Sequence, residues 1–192
     1  VYDITYGAIN SHKDTLVIID DSIVRGTTLQ KSILSILDRL EPKKIIVVSS
    51  APQIRYPDCY GIDMSILQGF IAFRALDALI IENGLAHKKD EVYEKCRLAF
   101  ENGTEKETNY LKELYDLYTA EQISAKISEI VKPEGINAEV EVVYQTIENL
   151  HTACPNHLGD WYFTGNFPTE GGNRVTNRAF MYFMEGKEKR AY

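Results

Sequence analysis

Residues 16–29 read Leu-Val-Ile-Ile-Asp-Asp-Ser-Ile-Val-Arg-Gly-Thr-Thr-Leu, and few backbone arrangements accommodate that order. Leu16, Val17, Ile18 and Ile19 form an unbroken apolar run, which predicts a strand buried on both faces. Asp20 and Asp21 follow where a purely structural strand would more often turn through Gly, Asn or Pro. Ser22, Gly26, Thr27 and Thr28 then lead into Leu29, Ile33, Ile36, Leu37 and Leu40, whose helical spacing predicts a helix over 27–40. A second buried run, Ile45–Val48, follows Pro42 and two lysines. Strand, helix, strand at this spacing predicts a right-handed parallel crossover. The acid pair then lies at the C-terminal end of its strand, where open α/β sheets bind ligands.

An acidic pair followed by small hydroxyl residues at a helix N-terminus suits a sugar phosphate with a bound metal. Gly26 lets the backbone approach a ligand closely, and the first helical turn offers unpaired N–H groups. Those amides and the positive end of the helix dipole favour a phosphate. The dipole contributes only about 0.3–1 kcal/mol at an exposed site, so most affinity must come from hydrogen bonds of the amides, Ser22, Thr27 and Thr28. The same residues also allow a plainer reading, with Thr27 or Thr28 as a helix cap and the acids as solvated turn residues. The loop is not a Walker loop, since no Gly-x-x-x-x-Gly-Lys-Thr is present, and its single Gly does not make a dinucleotide fingerprint.

The rest of the chain supplies scaffold. Residues 66–82 read as a helix, 88–131 as charged, Tyr-bearing helical segments ended by Pro133, Ala138–Tyr144 as a strand, and 146–153 and 174–184 as helices, the last capped by Asn173. Three parts are expected: 1–87 with the loop, a helical insertion at 88–133 without chemistry of its own, and an α/β segment at 134–192. Tyr110, Tyr115 and Tyr118 read as packing and hydroxyl-anchoring residues. Trp161, Tyr162, Phe163 and Phe167 read as a core lid rather than an aromatic pocket, and Gly171-Gly172-Asn173 as a helix start rather than an anion nest. At 192 residues and 44% apolar, the chain can bury one core. Its net charge of −7 argues against a nucleic-acid partner, and no apolar run approaches the ~20 residues that span a membrane. Three cysteines without a framework spacing fit a reducing cytoplasm.

Residues 18–28 resemble the phosphoribosyl-pyrophosphate loop of type I phosphoribosyltransferases, in the form found in the glutamine phosphoribosylpyrophosphate amidotransferase family. Two further stretches resemble that family in the right order. They are Ser50-Ala51-Pro52-Gln53-Ile54-Arg55-Tyr56-Pro57 with Tyr60-Gly61-Ile62-Asp63-Met64, and Phe163-Thr164-Gly165-Asn166-Phe167-Pro168-Thr169. The resemblance implies an α/β fold, the C-terminal part of a type I phosphoribosyltransferase with a parallel sheet flanked by helices, followed by a mainly helical region. It implies that Asp20 and Asp21 bind the ribose hydroxyls, carry Mg²⁺ and stabilise the charge that develops on the ribose as pyrophosphate leaves. Ser22, Gly26, Thr27 and Thr28 would hold the 5′-phosphate; Arg25 would join them or turn to solvent or a neighbouring subunit. The implied reaction joins ammonia from glutamine to phosphoribosyl pyrophosphate, giving phosphoribosylamine. AMP and GMP are expected inhibitors overlapping Asp20–Thr28, and a homo-oligomer is expected.

The departures matter equally. Members carry an N-terminal glutaminase domain that starts with a catalytic Cys, whereas this chain opens at Val1 and holds only Cys59, Cys96 and Cys154. Fifteen residues precede Leu16, too few for the family's upstream loops, so the chain is expected to be the C-terminal portion of a longer enzyme, inactive by itself. Val1–Gly7 would be the tail of a preceding element. Some relatives hold an iron–sulfur cluster near these segments; three cysteines cannot supply four thiolates, so none is expected. His151-x-x-Cys154-x-x-His157-x-x-Asp160 offers metal-ligand chemistry, but its spacing matches no established zinc pattern and Pro155 interrupts it. Two rival functions remain: a non-catalytic sensor of phosphoribosyl pyrophosphate or nucleotides, and a phosphoribosyltransferase acting on a purine base.

Overall fold

The computed structural model describes residues 7–58 and 64–191. The expected element at Val1–Gly7, except Gly7, and the Tyr60-Gly61-Ile62-Asp63 stretch with Cys59 lie outside them. The architecture is α/β: three parallel strands in the order β1 (Thr15–Asp20), β2 (Lys44–Ser49), β3 (Glu139–Tyr144), with helices packed against the sheet. The register pairs Asp20 with Ser49 and Ser49 with Tyr144, so the three strands end level with one another.

Alternation decides which side chains meet the core. Ile45 and Val47 of β2 and Val142 of β3 are buried. Leu16 and Ile18 of β1, on the same side, pack against that core. Val17 and Ile19 point the other way and are 60% and 79% exposed, with Val143 exposed beside them. The run 16–19 is therefore buried on one face rather than both, because the described helices cover only one side of the sheet. Unbroken hydrophobicity reports two apolar faces but not whether both are covered.

The predicted helix at 27–40 forms as a π-helical stretch, Leu29–Ile33, continuing into α1 (Leu34–Asp38). It stops short of Leu40 because Glu41 adopts a left-handed backbone, φ 56°, just before Pro42. The Asp38 carboxylate then accepts from the amides of Asn137 and Ala138 at 3.3 and 3.0 Å, holding the entry to β3. The helix predicted over 66–82 starts at Ile71 as α2 (Ile71–Glu82), after a short 3₁₀ turn at Leu67–Gly69. Phe70 is extended there, and the Ile71 amide donates to the Val24 carbonyl at 2.8 Å instead of continuing a helix upstream.

Residues 88–131 supply α3 (Ala86–Asn102), α4 (Lys112–Tyr115) and α5 (Ala120–Val131). Thr119 and Gln122 form a capping box at the start of α5, and Ile123, Ile127 and Val131 bury one stripe at i, i+4 and i+8. That stripe packs on α2 and β3, so α5 shares the core of the sheet. The Ser128 hydroxyl accepts from the Val142 amide at 2.8 Å and donates to the Ser124 carbonyl, joining helix to strand. As read from the sequence, Tyr115 and Tyr118 anchor through their hydroxyls, on the carbonyls of Arg55 and Leu79.

After β3 come α6 (Ile147–Ala153), capped by Thr146, then α7 (Trp161–Thr164) and α8 (Glu170–Met184). Asn173 does not cap α8: the helix begins at Glu170, and the Asn173 amide reaches from its first turn to the Lys106 carbonyl at 2.9 Å. Of the two glycines that hinted at a later start, Gly172 is there for packing. A Cβ at Gly172 would stand 2.1 Å from the Phe167 ring. Phe73 meets Phe180 and Phe183 edge-on, which locks α8 to α2. No helix among the described residues is long and apolar enough to cross a membrane.

The contrast between the two sheet faces is measurable. Ile45→Ala is expected to cost about 2–5 kcal/mol of unfolding free energy in urea titration, the range for a filled core site. Ile19→Thr, on the open face, should stay within about 0.5 kcal/mol of the parent.

Candidate functional site

The acid pair sits where β1 ends, and its backbone is clamped from the neighbouring strand. Just past β2, the Ser50 amide donates to the Asp20 carbonyl at 2.9 Å and the Ala51 amide to the Asp21 carbonyl at 3.1 Å. The Ser50 hydroxyl lies 3.2 Å from both carbonyls. The Ser22 amide donates to the Asp21 carboxylate at 2.8 Å. Two carboxylates are thereby held side by side at the lip of the sheet. Asp20 is half-buried, and burial first, then its hydrogen bond and charge contact with Asp21, raises its pKa above the ordinary carboxylate value.

The loop beyond the acids is anchored at three points. Ile23 is buried, the Val24 carbonyl takes the Ile71 amide, and Gly26 presses against the ends of α2 and α5. Gly26 has φ 69°, and a Cβ there would meet Val131 Cγ1 at 3.0 Å and Ile71 Cγ1 at 3.4 Å. Only glycine satisfies both the left-handed backbone and this approach. The Gln30 amide bonds the Gly26 carbonyl at 3.0 Å, and the Gln30 side chain donates to the Ile130 carbonyl, which fixes the following helix. Thr28 makes no side-chain cap bond, so the plain reading of it as a helix cap fails and its hydroxyl is exposed. Asp21, Arg25 and Thr27 are exposed beside it, and Ser22 is half-buried. The arrangement offers hydroxyls and first-turn amides on one side and two carboxylates on the other.

The three stretches picked out in the sequence meet in space. The segment 50–57 runs from the acid pair to Tyr162, whose carbonyl accepts the amides of Arg55 and Tyr56 at 2.8 and 3.2 Å. Gly165, with φ 71°, fits between Tyr56 and Asn109, where a Cβ would come within 2.7 Å of the Asn109 amide nitrogen. The Asn109 amide in turn donates to the Gly165 carbonyl at 3.2 Å. Trp161 Nε1 donates to the buried Asp58 carboxylate at 2.5 Å. That contact had no sequence signal, because the two residues are a hundred positions apart. Tyr162, Phe163 and Phe167 pack against the core as a lid would, while Trp161, Tyr162 and Phe167 also line an open cavity of about 660 Å³ that carries Arg174 and Arg178.

Around the His/Cys stretch, His151 Nε2 lies 3.0 Å from Asp160 Oδ2 and the His151 ring stacks on His157 at 4.2 Å. Among the described residues no group of three or more His, Cys, Asp or Glu side chains is placed to hold a metal ion. Two adjacent carboxylates, one of them exposed, do suit Mg²⁺, which is commonly bound through one or two carboxylates plus substrate phosphates. Cys96 is buried and its thiol is pushed up to about 12 by burial, so it is not a thiolate ligand at neutral pH, while Cys154 is exposed.

Sequence comparison identifies relatives over part of the chain. It is 47% identical over 58 residues to the amidophosphoribosyltransferase of Pasteurella multocida, covering 30% of this chain and 11% of that protein. It is 47% identical over 49 residues to the Escherichia coli amidophosphoribosyltransferase (26% and 10%) and 40% identical over 67 residues to that of Saccharomyces cerevisiae (35% and 13%). The matched stretch spans about a tenth of these relatives' length. No protein-family model matches the chain.

The geometry fixes two expected outcomes. Gly26→Ala should destabilise the chain by about 1–3 kcal/mol in denaturant titration, through backbone strain and overpacking on Val131. Asp20 has a raised folded pKa, so between its ordinary 3.8 and the raised value the folded chain binds more protons than the unfolded one. Its effect on stability is therefore most favourable at acid pH and is lost as pH rises through the folded pKa. Asp20→Asn should melt above the parent at pH 7, and the gap should close at pH 3.

Proposed function

Starting from this partial likeness to amidophosphoribosyltransferases, we propose that the chain carries the ribose 5-phosphate half of a phosphoribosyl-pyrophosphate site in such a transferase. One observation carries the reading: the acid pair at the end of β1, its carbonyls clamped by Ser50 and Ala51, continues through Gly26 into a helix start where Thr28 makes no side-chain cap bond. That arrangement matches a phosphorylated sugar group by group. The amides of the first helical turn, with Ser22, Thr27 and Thr28, would hold the 5′-phosphate. Asp20 and Asp21 would hold the ribose 2′- and 3′-hydroxyls, and Arg25, exposed on the same loop, would join the phosphate or turn to solvent or a neighbouring subunit.

In the proposed reaction the C1–oxygen bond to pyrophosphate breaks, ammonia nitrogen forms a bond to C1, and a proton leaves the nitrogen to give phosphoribosylamine. This is the first committed step of purine synthesis. Positive charge spreads over the ribose ring as the bond breaks, and fixed carboxylates close by lower the energy of that state. Mg²⁺ on Asp20 and Asp21 would neutralise the departing pyrophosphate oxygens. The raised pKa of Asp20 fits a carboxylate that lacks its counterion until ligand and metal arrive. In such a transferase the open face of Val17, Ile19 and Val143 would be covered by a further helical layer. A cytoplasmic, homo-oligomeric enzyme without iron–sulfur cluster, inhibited by AMP or GMP at the same loop, completes the proposal.

Calorimetric titration of the 192-residue chain with Mg·phosphoribosyl pyrophosphate is the test. Asp21→Asn and Thr27→Val are each expected to weaken binding about tenfold or more, the worth of one hydrogen bond to a charged partner. Unchanged affinity in both variants would overturn the site. In the complete polypeptide, pyrophosphate release that depends on ammonia or glutamine supports the amidotransferase. Release only with a purine base would point to a base transferase, and binding without release to a sensor.

A further inference from the structure

Tyr144 closes β3, level with Ser49 and Asp20 across the sheet, and its hydroxyl is shut off from solvent with no hydrogen-bond partner among the described residues. Such an orphan is unusual, since buried polar groups are nearly always paired, and each exception has a cause. The neighbours show what it faces. Parallel strands in register put Asp20, Ser49 and Tyr144 on the same side of the sheet. The Ser49 hydroxyl, between them, is already committed to the Ala51 carbonyl at 2.8 Å. Asp20 and Tyr144 are two strand spacings apart, roughly 10 Å between Cα atoms, and both side chains leave the same face, close enough that the Asp20 charge acts on the phenol. Burial and, after it, the Asp20 charge both hold the phenol in its protonated, donating form.

We propose that the Tyr144 hydroxyl is a positioning donor for Asp20, taken up when a phosphoribosyl ligand draws the carboxylate into its sugar-holding orientation. The proposal rests on the reading of residues 20–28 as a ribose-phosphate site. The acid pair has an amide donor on Asp21, from Ser22, and Tyr144 supplies the missing side-chain donor on the inner side of Asp20. A donor that is idle in the free chain and engaged in the complex adds to ligand affinity without stabilising the fold. A phenol with an ordinary structural role would do the opposite.

Tyr144→Phe separates the two. The variant is expected to melt at or above the temperature of the parent chain, because an unpaired buried hydroxyl has been removed. It should bind Mg·phosphoribosyl pyrophosphate about tenfold more weakly in calorimetry. Inorganic phosphate, which meets the loop amides but has no diol for Asp20 to hold, should bind parent and variant alike. Melting several degrees below the parent would mean a structural hydrogen bond and would overturn the proposal. So would unchanged affinity for Mg·phosphoribosyl pyrophosphate, or an equal loss for inorganic phosphate, which would mean that the phenol merely shapes the loop. If the parent chain fails to bind Mg·phosphoribosyl pyrophosphate at all, the ribose-phosphate reading falls and this proposal falls with it. Parent binding that survives Tyr144→Phe undiminished overturns only the proposal.

Discussion

The two backbone hydrogen bonds from Ser50 and Ala51 to the carbonyls of Asp20 and Asp21 set the position of everything else at the site. They extend the β1–β2 ladder one step past the last paired residues, so the acids leave the sheet in a direction fixed by the strand register. Had the register slipped by one residue, Asp20 would have moved to the open face and Ile19 to the core side. From that clamp the loop can only descend onto the ends of α2 and α5, where Ile23, Val24 and Gly26 are each held by a different contact. A loop on a rigid strand end, with its glycine wedged by Val131, holds its amides and hydroxyls in fixed positions, as the proposed phosphate site requires.

Like charge is the cost of that arrangement. Asp20 is partly removed from water and placed against Asp21, and both effects disfavour ionisation. In the proposed site, stability given up there would be recovered when a cation or a hydrogen-bonding diol arrives. The rest of the molecule absorbs the cost through one continuous core. The aromatic contacts of Phe73 with α8, the α5 stripe and the buried face of β2 all contribute to it.

Local signals in the sequence located the elements of the site well. The apolar run ending in two acids, the hydroxyl-rich turn and the 3.6-residue period after it gave β1, the loop and its helix in the observed order. Three features were not legible, each for a physical reason. Continuous hydrophobicity in 16–19 did not reveal that Val17 and Ile19 face outward, because coverage of a sheet face depends on what packs there. The glycines at 171 and 172 looked like a break, yet α8 runs through them, and at Gly172 the Phe167 ring needs the space a side chain would fill. Tyr144 carried no signal at all. Its place on the same sheet face as Asp20, two strands away, follows from the pairing of β1 to β2 and β2 to β3, a relation over more than a hundred residues that no local pattern encodes.

The central claim is that residues 20–28 cradle a ribose 5-phosphate, and amide chemical-shift mapping tests it most directly. With ¹⁵N-labelled chain titrated with ribose 5-phosphate and Mg²⁺, the account predicts the largest saturable shifts at Asp21, Ser22, Gly26, Thr27 and Thr28. It predicts little change around the aromatic cavity of Trp161 and Phe167. Shifts confined to that cavity, or absent from the loop at saturating ligand, would contradict the account.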